Sequence, residues 1–280
     1  MKHALQVEIM KELLDHIDNN RTVDAGKIVM NPTSSYTDPE LAEREWKLFF
    51  QQHPQVLGLS GELPKPGSYF TSKDLGIPIL ATRDQDGKFH AFVNACRHRA
   101  AELTEEARGE KHRFSCPFHA WTFASDGRLL GIRQNEQFGK VDKNCTGLIE
   151  LPSVEKYGLL VVHPQLDGVI DLDALLGPEL AEELASWQLD RCVYEGESVL
   201  DMPLNWKIAN DTFGEVYHFA SLHTKTLAQV LHGDAAVYKE YGRHHRLCLA
   251  SKYIDVMRQA PEAEWSLPYA GAIAYYLFPN

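Results

Sequence analysis

The chain has 280 residues, with 28 Lys and Arg against 39 Asp and Glu, a formal net charge of -11 and 44% hydrophobic residues. That length suffices for one large domain or two modest ones of ordinary globular composition. The acidic balance argues against nucleic acid as a partner, no run of about 18 apolar residues offers a membrane span, and five cysteines do not build a secreted disulfide framework.

In chain order, the opening "MKHALQVEIMKELLDHIDNN" spaces Leu5, Ile9, Leu13 and Ile17 by four. This predicts an amphipathic helix rather than a signal peptide, since an apolar central region and a small-residue cleavage site are both missing. The loop "MNPTSSYTDPE" leads into a second helix, with Thr37 or Asp38 as its cap and Pro39 in its first turn. From about 55 to 165 the texture becomes β-rich: "GSYFTS", "IPILATRD", "KFHAFVNA", "FSCPFHAWTFASDGRLLG" and "YGLLVVHP". "DQDGK" and "ASDGR" carry Asp-Gly turn signals. After about 166, "LDALLGPELAEELASW" reads as helix, "RCVYEGESVLDMPL" as strand, and "NWKIANDTFGEVYHFASLHTKTLAQVL" mainly as helix. "HRLCLASKYIDVM" and "AGAIAYYLFP" read as strands. The plan is α+β with an inserted β-module. The regions are 1–54, whose helices are expected to pack on the last part, then 55–165 and 166–280.

Two loops of the β-module each carry one thiol and one imidazole: Cys96-x-His98 in "ACRHRA" and Cys116-x2-His119 in "SCPFHAW". The remaining cysteines, Cys145, Cys192 and Cys248, are isolated and read as small buried hydrophobes. Three arrangements suit the paired residues. They could be core residues without a metal. They could close a structural zinc site, although such sites usually pair like with like. They could hold a Rieske [2Fe–2S] centre, where two cysteines bind one iron and two histidines the other, so that each loop supplies one of each.

"CRHRA" and "CPFHAWTFASDG" resemble the Rieske domain of ring-hydroxylating oxygenases. Rieske proteins of quinol-oxidising complexes carry an extra disulfide between these loops. Here those positions are Ala101 and Phe118, so no such disulfide forms, and Phe118 offers no hydroxyl to a cluster sulfur. Fewer hydrogen bonds to the sulfurs imply a low potential. The chain departs from the pattern at Ala120, where glycine is usual. That change is expected to need only a slightly different backbone angle.

A second constellation lies in "NWKIANDTFGEVYHFASLH". His218 and His223 could supply the two imidazoles of a two-His-one-carboxylate iron site with open positions. On an ideal helix the i and i+5 positions differ by roughly 140°, so the helix must end near Ala220-Ser221 or carry a π-bulge. Two ordinary surface histidines fit this segment equally well. A di-iron site would need a second Glu-x-x-His pair beside Glu215 and His218. Phe213, Phe219 and Leu222 suit core packing more than an apolar pocket.

This segment is similar to the mononuclear-iron motif of the same oxygenases. The resemblance implies an antiparallel β Rieske [2Fe–2S] domain inserted in a helix-grip-like α+β catalytic domain. It implies Cys96, His98, Cys116 and His119 on the cluster, and His218 and His223 on Fe(II). It implies Glu215 as the carboxylate linking His218 to a cluster histidine of a neighbouring subunit, His119 rather than His98. Asn210 and Asp211 stand where the pattern has Asn, with no role assigned. The third ligand, an Asp, is expected beyond "AYYLFPN". Asp234 and Asp255 are not supported for it. The expectation is therefore a catalytic domain cut short, holding its cluster but binding Fe(II) poorly. The implied activity is hydroxylation of an organic, aromatic substrate with O2, in a cytoplasmic homotrimer, alone or with a β-subunit. Its electrons come from NAD(P)H through a reductase, or through a reductase and a ferredoxin. The alternatives are a monooxygenase or demethylase of quaternary amines or methoxy-aromatics, and a pure Rieske electron carrier.

Overall fold

The computed structural model describes residues 1–279. The chain divides into two compact units. One comprises residues 1–44 and 176–186 together with the chain from Ser198 onward; the other comprises 45–175 and 187–197.

The first unit opens with α1 (His3–Asp18), which buries Ile9, Met10, Leu13 and Leu14. Leu5 and Ile17, the outer members of the predicted stripe, are half-buried. After a one-turn helix α2 (Ser34–Thr37) comes α3 (Pro39–Glu45). Asp38 caps α3: its Oδ1 accepts the backbone N–H of Glu40 at 2.9 Å and of Leu41 at 3.2 Å.

The second unit is mainly β, preceded by a π-helical stretch over Trp46–Gln51. Its strands are β1 (Gln55–Leu59), β2 (Ser68–Ser72), β3 (Ile79–Arg83), β4 (Phe89–Val93), β5 (Arg108–Glu110), β6 (Arg113–Ser115), β7 (Thr122–Ala124), β8 (Leu129–Gly131), β9 (Glu150–Leu151), β10 (Ser153–Lys156) and β11 (Leu159–Val162). They form three antiparallel sheets, ordered β5-β2-β3-β4-β9, β6-β7-β8 and β1-β11-β10. The central sheet has apolar material on both faces, which explains why β3 and β4 read as nearly continuous apolar runs. Tyr69, Leu80 and Phe92 face a core with Phe114, Trp121, Phe123 and the two thiols, Cys96 and Cys116. Phe70, Ile79, Ala81 and Ala91 face the opposite core, with Leu151, Leu160 and Val162. Both Asp-Gly turns form, with Gly87 at φ +81° and Gly127 at φ +82°. At Gly127 a Cβ would also meet the buried Phe92 ring at 2.5 Å, so only glycine fits that turn.

Then α4 (Leu172–Ala185) runs as predicted but is interrupted at Gly177, whose backbone is left-handed. The expected strand over "RCVYEGESVLDMPL" does not form. Residues 192–204 take no regular structure, and Val193, Val199 and Leu200 lie exposed. The pattern was apolar enough, but no described strand pairs with it, and a strand has no stability without a neighbour. Cys145 and Cys192 are also exposed, against expectation; only Cys248 of the three isolated cysteines is a buried hydrophobe.

The long predicted helix is broken as well. It becomes α5 (Trp206–Phe213), capped by Asn205 and closed by Gly214, the one-turn α6 (Phe219–Leu222), and a further single turn over Leu227–Val230. A three-stranded antiparallel sheet follows: β12 (Leu231–Tyr241), β13 (His244–Ser251) and β14 (Gly271–Tyr276), in that order. Within this unit α1 lies against β12 and β13, and His16 Nδ1 meets the Ala236 carbonyl at 2.9 Å. A buried charge network joins α4 to the sheet. Arg246 Nη1 donates to both Glu183 oxygens at 2.7 Å, and the Tyr241 hydroxyl donates to Glu183 at 2.6 Å, with Tyr275 adding another. No described helix is long and apolar enough to cross a membrane.

Candidate iron–sulfur and mononuclear iron sites

The two thiol-imidazole loops are built alike. Cys96 follows β4, and Cys116 follows β6. In each, the residue four after the cysteine bonds back to it: Ala100 N–H to Cys96 O at 2.8 Å, and Ala120 N–H to Cys116 O at 2.9 Å. In each, the next carbonyl accepts the cysteine N–H at 2.8 Å, from Ala101 and from Trp121. Both alanines sit at φ +58°. This corrects the expectation for Ala120: the backbone keeps the left-handed conformation that suits glycine, and the alanine takes the strain.

The paired turns bring thiol to thiol and imidazole to imidazole. Cys96 and Cys116 are buried side by side in one core. His98 Nδ1 and His119 Nδ1 face each other at 3.2 Å, with ring centroids 4.6 Å apart. Both rings therefore offer the same nitrogen to one point. Burial pushes the Cys96 thiol up, with neighbouring Cys116 adding to the effect. Burial pulls the His98 imidazole down, helped by the charges of His119 and Arg99. A neutral His98 imidazole and a protonated Cys96 thiol suit a metal-free state from which an iron centre would displace the thiol proton. Two thiols and two converging Nδ1 atoms fit a [2Fe–2S] cluster of mixed ligation.

Sequence reasoning missed the aromatic surroundings. Trp121 stacks on His98, with centroids 5.1 Å apart and planes 7° apart, and Phe138 meets both rings edge-on at 5.5 Å. Trp121 directly follows the second loop and could have been flagged; nothing in the sequence points to Phe138. Phe118 lies beside His119 and is 62% exposed.

In the first unit His218 and His223 flank α6, one preceding it and one following it. Their ring centroids are 5.2 Å apart. The i and i+5 problem is thus solved without a π-bulge: both histidines lie outside the single helical turn. Val216 and Phe219 anchor this turn by packing against Ala236, Leu247 and Leu249 of the sheet. Phe219 is core, whereas Phe213 and Leu222 are exposed. Glu215 holds His218 twice. Its Oε2 accepts the His218 backbone N–H at 3.3 Å, and its Oε1 takes the ring Nδ1–H in a short contact. Burial acts to raise the Glu215 carboxyl, but the hydrogen bonds and charge of His218 outweigh it and hold the group below its ordinary value. With Nδ1 engaged, His218 presents Nε2, the arrangement a metal-binding histidine needs. Asp211 accepts a hydrogen bond from Tyr36 at 2.7 Å. Asp255 faces His232 at 3.1 Å, and no third carboxylate joins His218 and His223 in a metal-binding group among the described residues.

The Rieske [2Fe-2S] domain model matches residues 53–155, and the ring hydroxylating alpha subunit (catalytic domain) model matches residues 189–280. The anthranilate 1,2-dioxygenase large subunit of Acinetobacter baylyi is 30% identical over 204 residues, 70% of this chain and 43% of that protein. The glycine betaine monooxygenase oxygenase subunit of Chromohalobacter salexigens is 31% identical over 205 residues, 72% of this chain and 45% of that protein. A solved quaternary ammonium Rieske monooxygenase superposes with a TM-score of 0.73 at 24% identity, over 89% of this chain and 66% of that one, a likeness of fold. The chain spans about half the length of the curated relatives it matches.

Proposed function

The chain belongs to the large subunits of the Rieske ring-hydroxylating oxygenases, and we propose that it serves as the oxygenase component of a multicomponent system. In this reading it hydroxylates a small organic, aromatic substrate with O2. Its electrons come from NAD(P)H through a reductase, with or without a ferredoxin. The observation that carries the reading is the convergence of His98 Nδ1 and His119 Nδ1 at 3.2 Å beside the buried Cys96 and Cys116.

Cys96, Cys116, His98 and His119 would hold the [2Fe–2S] cluster, and His218 and His223 would hold Fe(II). When bound, the cluster supplies one-electron transfer and the open iron supplies oxygen activation. The protein's part is orientation. The left-handed turns at Ala100 and Ala120 aim the two imidazoles at one point. Glu215 fixes the tautomer and plane of His218 and keeps a carboxylate at that ligand. In a ring-like homotrimer the same carboxylate would also reach a cluster histidine of the neighbouring subunit, and it is the group by which the two centres would communicate. A cytoplasmic setting agrees with five free cysteines.

A second reading, oxidation of a quaternary amine, is favoured by relatives named as carnitine and glycine betaine monooxygenases at 31% identity. The test is anaerobic cluster reconstitution followed by oxygen uptake with NADH and a reductase. A brown protein with the EPR signal of a reduced Rieske cluster, consuming O2 only with substrate, is expected. Aromatic acids against carnitine and choline then separate the two substrate classes. A colourless zinc protein would overturn the whole reading, and a Rieske signal without substrate-dependent uptake would leave only an electron carrier.

A further inference from the structure

We propose that Trp121 and Phe138 are positioning residues that set the ring plane of His98, and with it the direction in which His98 Nδ1 meets the cluster. The proposal rests on the Rieske reading of the two loops and deepens it.

His98 sits on a turn between the exposed Arg97 and Arg99. The torsion that turns an imidazole about its own bond has only broad preferences, so the backbone does not fix the ring. A metal-binding histidine is usually steered by a hydrogen bond from its other nitrogen. Among the described residues, the hydrogen-bond partner of the His98 ring is the Nδ1 of His119. Ring packing takes that place. Trp121 supplies a parallel wall, 7° from the imidazole plane, and Phe138 closes the triangle at 87° to His98 and 80° to Trp121. Offset-parallel and edge-on contacts at these separations are the favoured aromatic arrangements.

The wall is buried in a packed core. Trp121 is 5% exposed and packs in the core that holds Cys96, Cys116, Phe114 and Phe123. Its backbone carbonyl also accepts the Cys116 N–H at 2.8 Å. One residue therefore anchors the second loop and orients the ligand of the first. His119 has no comparable wall, because its neighbour Phe118 is tilted by 38° and largely exposed. Trp121 Nε1 is buried without a hydrogen-bond partner among the described residues, so the indole is held by its face rather than its donor.

The experiment uses the full chain with its cluster reconstituted, in wild-type form and as Trp121→Phe, Trp121→Leu and Phe138→Leu. The readouts are the EPR g-values of the reduced cluster and the half-life of its visible absorption under a chelator. Loss of an outer contact to a metal ligand typically weakens a site by about 10–100-fold. Trp121→Leu should therefore shift the g-values and shorten the half-life roughly tenfold. Trp121→Phe, which keeps a parallel ring, should restore both, and Phe138→Leu should shift the g-values by less. Wild-type spectra and half-lives in both leucine variants would overturn the proposal. So would a Trp121→Leu defect that phenylalanine does not rescue while Phe138→Leu stays unchanged. If Trp121→Leu does not fold, Phe138→Leu, on a part-exposed loop, decides alone. A wild-type chain without a Rieske signal would sink the parent reading, whereas a wild-type signal with unmoved variants sinks only this one.

Discussion

At the scale of single residues, the two thiol-imidazole loops depend on alanines where glycine would be relaxed. A left-handed conformation costs a residue with a Cβ about 1–2 kcal/mol, and glycine's extra freedom in the unfolded chain returns about 0.5–1 kcal/mol of that. Ala120→Gly should therefore stabilise the loaded domain by up to about 1 kcal/mol, roughly 2–4 °C in a melting scan, with cluster content unchanged. A lower melting temperature would show that the left-handed turn is not strained. Glu215 is the other residue-scale lever. Glu215→Gln removes the charge that steadies His218 while keeping its shape, and Fe(II) binding should weaken by about 10–100-fold in a metal titration. An unchanged affinity would leave Glu215 with only its backbone bond to His218.

At the scale of elements, the buried pair of Glu183 on α4 and Arg246 on β13 decides how the helix meets the sheet. Their side chains are 5% and 4% exposed. Removing one partner strands the other as a buried charge, so Glu183→Gln should cost about 3–5 kcal/mol in urea unfolding, and replacing both with apolar residues should cost much less. Burial by itself would raise the Glu183 carboxyl, but Tyr241, Tyr275 and Arg246 together hold it below its ordinary value of 4.5. Because the folded value is depressed, the network's contribution is complete above pH 4.5 and is lost as the pH falls through the folded value. Stability measured from pH 6 downward should fall in that window for the wild type and stay flatter for Glu183→Gln. Elements also show where local reading fails. The segment 206–230 has a helical pattern, yet Gly214 and the burial of Val216 and Phe219 against the sheet break it and leave His218 and His223 at the ends of one turn. Tertiary packing overrides propensity there, as it commonly does at sites.

At the scale of the whole molecule, each compact unit has its own apolar cluster. A cluster bound only by the folded state stabilises the unit that binds it. Stripping the iron and sulfide should therefore lower the melting transition of the unit spanning residues 45–175 and leave the transition of the other in place. A single transition that moves as one would show that the two units unfold together.

The pairing of thiol with imidazole in the two loops was legible in the sequence because it is local. Cys96 with His98 and Cys116 with His119 stand two and three residues apart, so residue type and spacing alone carry the mixed-ligand pattern. The β-module was legible for the same reason: apolar runs and Asp-Gly turns are short-range signals, and Gly87 and Gly127 form the turns they announce. Only the tertiary structure decided the rest. The parallel indole of Trp121 and the ring of Phe138 reach His98 across the fold, from positions 23 and 40 residues away by the chain numbering. The apolar stretch 192–204 finds no described strand to pair with, and Glu183 meets Arg246 from another element. Pairing, burial and ring packing join residues distant in the chain, and their free energy exists only once the fold has brought both partners to one place.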